Sequence, residues 1–133
     1  MEGYFQNQEK IKIGIIGAGH LGRFTIECAP RIEGFSLEAI SDIDPQRAEE
    51  ISTQYNVNRF GDIDEMLRHV DAVCVVTPTS THYEIALKVI DAGKHIFIEK
   101  PLTDNPSTSR ALTELISKKN LIGRVGHVER YNP

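Results

Sequence analysis

Short apolar runs alternate along this chain with stretches whose apolar positions recur at helical spacing. Ile11–Ile16 (IKIGII) predicts a buried strand, with a glycine-rich turn directly behind it. Gly19 to about Ala29 predicts a helix that Pro30 kinks or ends. Leu37–Ser41 is a second strand, and Asp44 with Pro45 makes an N-cap plus N1 proline opening a helix through about Tyr55. Asn58–Phe60 suits a short third strand. Asp62 with Glu65 is an acidic variant of the capping box, starting a short helix with Ile63, Met66 and Leu67 as its apolar side.

The second half repeats the alternation. Ala72–Val76 (AVCVV) is continuously apolar, as a strand covered on both faces should be. Thr81 and Glu84 form a capping box for a helix that runs to Ala92, with Gly93 as its stop. His95–Ile98 predicts a fifth strand. Asn105 and Pro106 then open a helix through Lys119, ending near Asn120, before a sixth strand at Leu121–Val125. Strand–helix alternation of this kind implies a doubly wound parallel sheet, three layers deep (α/β/α), with right-handed crossovers. Residues 10–127 are read as that domain, 1–9 as an N-terminal tail and 128–133 as the start of a linker.

Composition adds limits. A chain of 133 residues with 40% hydrophobic and 26% charged positions can bury a core without disulfides or metal. Fifteen Lys and Arg against 19 Asp and Glu give a net charge of −4, and no basic cluster offers a nucleic-acid footprint. No apolar run approaches the ~20 residues of a membrane span, and Met1 to Lys10 lacks the hydrophobic core of a secretory signal. Cys28 and Cys74 lie far apart without ligand-like neighbours and read as two small buried hydrophobes, with no metal site. A cytoplasmic protein fits these features.

Gly17, Gly19 and Gly22 (GAGHLG) follow a strand and open a helix, the context that makes a G-x-G-x-x-G pattern specific. Gly17 permits the turn, Gly19 lets backbone approach a pyrophosphate, and Gly22 lets helix pack on strand, the arrangement of a dinucleotide-binding Rossmann domain. The N–H groups of the first helical turn, at His20 and Leu21, then face the phosphates. His20 covers those phosphates or is simply exposed. Asp42 sits 20 residues after Gly22, at the end of the second strand, where an acid accepts from the ribose hydroxyls of NAD. Against NADP the same carboxylate would repel a phosphate by ~1–4 kcal/mol, so NAD is favoured. Arg47 is most simply a solvated surface charge.

Glu99, Lys100 and Pro101 end the fifth strand, on the side where ligands bind in parallel sheets. A lysine there donates to a substrate oxygen, or serves as a base if burial lowers its pKa. By spacing alone a solvated lysine at a turn is the more frequent outcome.

Taken in order, the glycine loop, Thr77-Pro78-Thr79-Ser80-Thr81-His82 and Glu99-Lys100-Pro101 resemble the glucose–fructose oxidoreductase and inositol dehydrogenase family (Gfo/Idh/MocA), from about Lys10 to Pro133. The resemblance implies an N-terminal Rossmann domain followed by an α+β domain that supplies the substrate pocket and most oligomer contacts. It implies that Lys100 touches the nicotinamide ribose and the substrate hydroxyl, whose proton it helps remove. Glu99 would orient the ribose, and Thr77, Pro78 and Thr79 would line the adenosine and ribose crevice. His82 would join them or merely pack at a helix start. His127 or Arg130, in the last segment, would contact cofactor or substrate. Some family members with this ending act on nucleotide-linked sugars.

The family's other catalytic residues, an aspartate and a histidine, belong to the second domain, and nothing in these 133 residues replaces them. The chain is therefore expected to be a domain of a longer protein or a natural truncation, binding NAD but catalysing poorly or not at all. Apolar surface left by a missing domain would favour self-association, so a homo-oligomer is expected. The function expected of the whole is NAD-dependent oxidation or reduction at a secondary hydroxyl of a sugar, nucleotide sugar or cyclitol. A nucleotide-sensing domain without chemistry is the alternative, which Lys100 argues against. A methyltransferase would add an antiparallel strand that the pattern lacks.

Overall fold

The structure is a computed structural model and describes residues 9–126. Six strands alternate with helices: β1 Ile11–Ile16, α1 His20–Cys28, β2 Phe35–Ser41, α2 Pro45–Tyr55, β3 Asn58–Arg59, α3 Ile63–Leu67, β4 Ala72–Val75, α4 His82–Asp91, β5 His95–Glu99, α5 Pro106–Lys118 and β6 Gly123–Gly126. Single 3-10 turns at Ala29–Arg31 and Thr79–Thr81 follow α1 and precede α4. The strands form one sheet in the order β3-β2-β1-β4-β5-β6, and every pairing is parallel. This is the doubly wound order, and no antiparallel strand joins the sheet among the described residues, against the methyltransferase alternative.

Alternate strand residues feed two cores, one on each face. Ile13, Ile15 and Ile40 pack with Ile26 of α1 and Ile51 of α2. Val73, Val75, Ile96 and Ile98 pack with Met66, Val89, Ile90 and Leu112 from α3, α4 and α5. The strands are buried on both sides, which is why their sequences read as apolar runs.

Several boundaries differ from the sequence expectation for local reasons. Helices α2, α4 and α5 end with Asn56, Gly93 and Asn120 in the left-handed conformation, at φ 51°, 73° and 55°. Each termination returns an N–H to the helix: Val57 to Ser52, Lys94 to Val89 and Leu121 to Ile116. The last of these uses Leu121 to close α5, so β6 starts at Gly123 rather than at Leu121. Strand β2 begins two residues earlier than expected, at Phe35, because Ile11 to Ile13 extend the pairing to Phe35, Ser36 and Leu37.

The capping box expected at Thr81 and Glu84 is absent. Thr81 has helical backbone angles, and its hydroxyl donates to the Pro78 carbonyl instead, closing the 3-10 turn. Asp62 does cap α3, accepting from the Asp64 N–H. Cys28 and Cys74 are half-buried free thiols rather than fully buried ones. No helix among the described residues is long and apolar enough to cross a membrane.

Candidate functional site

The sheet order reverses at β1, whose neighbours are β2 on one side and β4 on the other. A crevice opens at such a point beyond the C-terminal strand ends. The loops after β1, β2, β4 and β5 gather there. Gly17 N–H donates to the Ser41 carbonyl at 2.8 Å, and Val76 N–H donates to Ile16 at 2.9 Å, binding the loop after β1 to both neighbours.

The three glycines of that loop have different reasons to be glycine. Gly17 has φ 105°, and a Cβ there would lie 2.7 Å from the Val76 carbonyl oxygen. A Cβ on Gly22 would collide with the backbone of Gly17. These two are required by the fold itself. Gly19 is the N-cap of α1, and a Cβ on it would meet nothing within 4 Å. Among the described residues no side chain caps α1, leaving its first N–H groups without a side-chain acceptor there. An open approach over Gly19 beside uncapped N–H groups fits a phosphate group. His20 is exposed and Leu21 half-buried at this edge.

Asp42 follows β2 and is tied to the glycine loop. Its carboxylate accepts from Ala18 N–H at 2.6 Å and from Asp44 N–H at 2.8 Å, and its side chain is only 4% exposed. An ionised carboxylate has about four acceptor positions, and the Arg47 guanidinium shares those that these two N–H groups leave. Arg47, expected to be a solvated charge, turns back from α2 instead. Its guanidinium lies 3.5 Å from the Asp42 carboxylate and 3.8 Å from that of Asp44. The helix-start spacing of Asp44 and Arg47 was the available signal for that pair. Ile43, beside Asp42, is 99% exposed, an apolar side chain standing open at the strand end that the sequence pattern did not single out.

On the other side of the switch point, Thr77 and Thr79 are half-buried and Pro78 is exposed. Thr77 packs against Gly17, with its methyl group 3.1 Å from where a Cβ would stand, and its hydroxyl lies 2.7 Å from that of Thr81. His82 is 1% exposed. Its Nδ1 is 2.9 Å from the Pro101 carbonyl oxygen and its Nε2 is 2.9 Å from that of Thr77. The ring is thus spent on backbone, behind the crevice wall, and reaches the crevice only through the residues it holds.

Glu99 and Lys100 close β5, both half-buried, and the Lys100–Pro101 peptide is cis. The Glu99 carboxylate lies over the end of β6, where a Cβ on Gly126 would come within 2.6 Å of it. The segment after Pro101 is anchored by the buried Thr103 hydroxyl, which lies 2.6 Å from the Ser109 hydroxyl and 2.7 Å from the Asn105 carbonyl. His127 and Arg130 lie outside the described residues. Among the described residues no group of three or more His, Cys, Asp or Glu is placed to hold a metal ion.

Asp42 after β2 and Lys100 after β5 are separated by the strands β1 and β4. Three strand spacings set them about 14 Å apart, and dinucleotides bind across such a switch point. A glycine loop, an acid bonded to it and a lysine at the far end define the class: a dinucleotide-binding Rossmann domain.

Within that class the chain belongs to the Gfo/Idh/MocA oxidoreductase family, whose NAD-binding Rossmann fold matches residues 11–127. It is 37% identical over 123 residues to UDP-N-acetylglucosamine 3-dehydrogenase from Acidithiobacillus ferrooxidans, covering 92% of this chain and 39% of that protein. A crystal structure of that enzyme matches with a TM-score of 0.88 at 36% identity, covering 95% of this chain and 41% of the other. The NAD(+)-dependent scyllo-inositol 2-dehydrogenase of Bacillus subtilis is 32% identical over 130 residues, covering 95% of this chain and 38% of the enzyme. A scyllo-inositol dehydrogenase from Lactobacillus casei, solved with NAD(H) and scyllo-inositol, matches with a TM-score of 0.85 at 30% identity, covering 93% and 38%. The chain spans about two fifths of the length of these relatives.

Proposed function

We propose that this chain is the cofactor half of an NAD-dependent dehydrogenase acting on a secondary hydroxyl of a sugar, nucleotide sugar or cyclitol. Lys100 carries the reading: it stands at the end of β5, on the opposite side of the glycine loop from Asp42. A domain that only senses a nucleotide has no use for an amine there. The substrate class is drawn from relatives that act on UDP-N-acetylglucosamine and on inositols.

Each residue has a task under this reading. Uncapped N–H groups of α1 hold the pyrophosphate across Gly19, and the adenosine ribose hydroxyls donate to Asp42. Ile43 offers an apolar surface to the adenine. Thr77 and Thr79 line the crevice, and Glu99 orients the second ribose. When bound, the nicotinamide supplies the hydride acceptor or donor. Lys100 holds the substrate hydroxyl and takes or returns its proton. The rest of the substrate pocket is assigned to the region by which the relatives exceed this chain.

Fixed in place by two backbone N–H groups, the Asp42 carboxylate cannot swing aside for a 2′-phosphate, which favours NAD over NADP. The test is a longer protein carrying this domain, assayed with NAD and either UDP-N-acetylglucosamine or myo-inositol. Turnover with one of them, lost in Lys100→Met while NADH binding persists, supports the reading. Unchanged turnover in Lys100→Met contradicts it.

A further inference from the structure

His82 is buried, titratable and unused by the chemistry above. Three carbonyl oxygens surround its ring: Pro101 at 2.9 Å and Leu102 at 3.2 Å from Nδ1, and Thr77 at 2.9 Å from Nε2. Carbonyl oxygens only accept, and a neutral imidazole carries one N–H. Either neutral tautomer would leave a nitrogen lone pair facing a carbonyl lone pair in a site that is 1% exposed. The ring nonetheless spans the two sides, one nitrogen toward each.

We infer that His82 is a positioning residue whose two ring nitrogens face opposite ways, clasping the loop after β4 to the loop after β5. The two loops it joins are separate in sequence, Thr77 and Pro101 lying on either side of α4. One of them contains Thr77, which abuts Gly17 of the glycine loop, and the other begins with Lys100. The ladder between β4 and β5 ends at Val75 and Ile98, so beyond it the strand pairing no longer sets the loop spacing. His82 takes over there. Thr103 anchors the second loop from the α5 side, so Lys100 is held between two fixed points. An imidazole does this because its two nitrogens point in divergent directions, whereas a glutamine amide presents both its donors from one nitrogen. The inference rests on the dinucleotide reading, because the loops matter only if the nicotinamide end of a cofactor lies over them.

The test compares His82→Gln with the unmodified chain for NADH and for AMP, which reports only the adenosine end. NADH affinity is expected to fall roughly tenfold, as losing a buried hydrogen bond does, with AMP affinity kept within about twofold. Equal NADH affinity would overturn the positioning role, and a matching loss of AMP would make His82 a general fold residue instead. Failure of the unmodified chain to bind AMP or NADH would strike the dinucleotide reading itself, and is thus separable from failure of the clasp.

Discussion

The Asp42 carboxylate accepts a hydrogen bond from the Ala18 N–H at 2.6 Å, joining residues 24 apart in the chain. One side chain thereby fixes the glycine loop against the end of β2, with Arg47 beside its remaining acceptor positions. Under the proposed function, fold and cofactor binding are coupled at this contact.

Replacing Asp42 tests that coupling. Asp42→Asn keeps the shape but removes the charge that strengthens two N–H bonds and draws in Arg47. A loss of about 1–3 kcal/mol in stability is expected from thermal or denaturant unfolding. NADH affinity should fall at least tenfold, and preference for NADH over NADPH should shrink, because the repulsion of a 2′-phosphate goes with the charge.

The three loop glycines should separate in an alanine series. Gly17→Ala forces a side chain into a left-handed backbone and against Val76, and Gly22→Ala forces one into the Gly17 backbone. Both should destabilise the fold by several kcal/mol, in the range typical of strained or overpacked sites. Gly19→Ala meets open space and should cost only about 0.5–1 kcal/mol as a poorer N-cap. Its cofactor affinity should nevertheless fall sharply. Melting curves alongside NADH titrations separate the two effects.

Burial pushes the Cys74 thiol up from 9.0 to about 11. The folded state therefore favours the neutral thiol. Its contribution to stability is complete below the ordinary value near 9.0 and is lost as pH rises through about 11. The same shift leaves roughly a hundredfold less thiolate than an unburied cysteine at neutral pH. Alkylation of Cys74 by iodoacetamide, followed by mass spectrometry, should be slower by about that factor in the folded chain. Equal rates in folded and unfolded chain would contradict the packing of β4.

The sequence announced the fold in the places where it repeats a local rule. Pro45 and Pro106 behind Asp44 and Asn105 mark helix starts that the structure keeps, with both caps accepting from the first turn. Gly93 marks a helix end in the same way. The apolar strands were legible because both faces of the sheet are covered. Thr81 and Glu84 misled because the motif describes two side chains, whereas the outcome depended on whether Pro78 offered a carbonyl first. At the site, Gly17, Gly19, Gly22 and Asp42 were visible through their spacing. The turn of Arg47 toward Asp42 and the grip of His82 on two loops were not, since each depends on which atoms converge in space from distant segments.

Calorimetric titration of this chain with NADH, and separately with NADPH, tests the central claim most directly. The glycine loop and the held Asp42 predict saturable NADH binding at one site, with NADPH clearly weaker. Binding of neither cofactor would contradict the dinucleotide site in this chain, and a preference for NADPH would contradict the role given to Asp42.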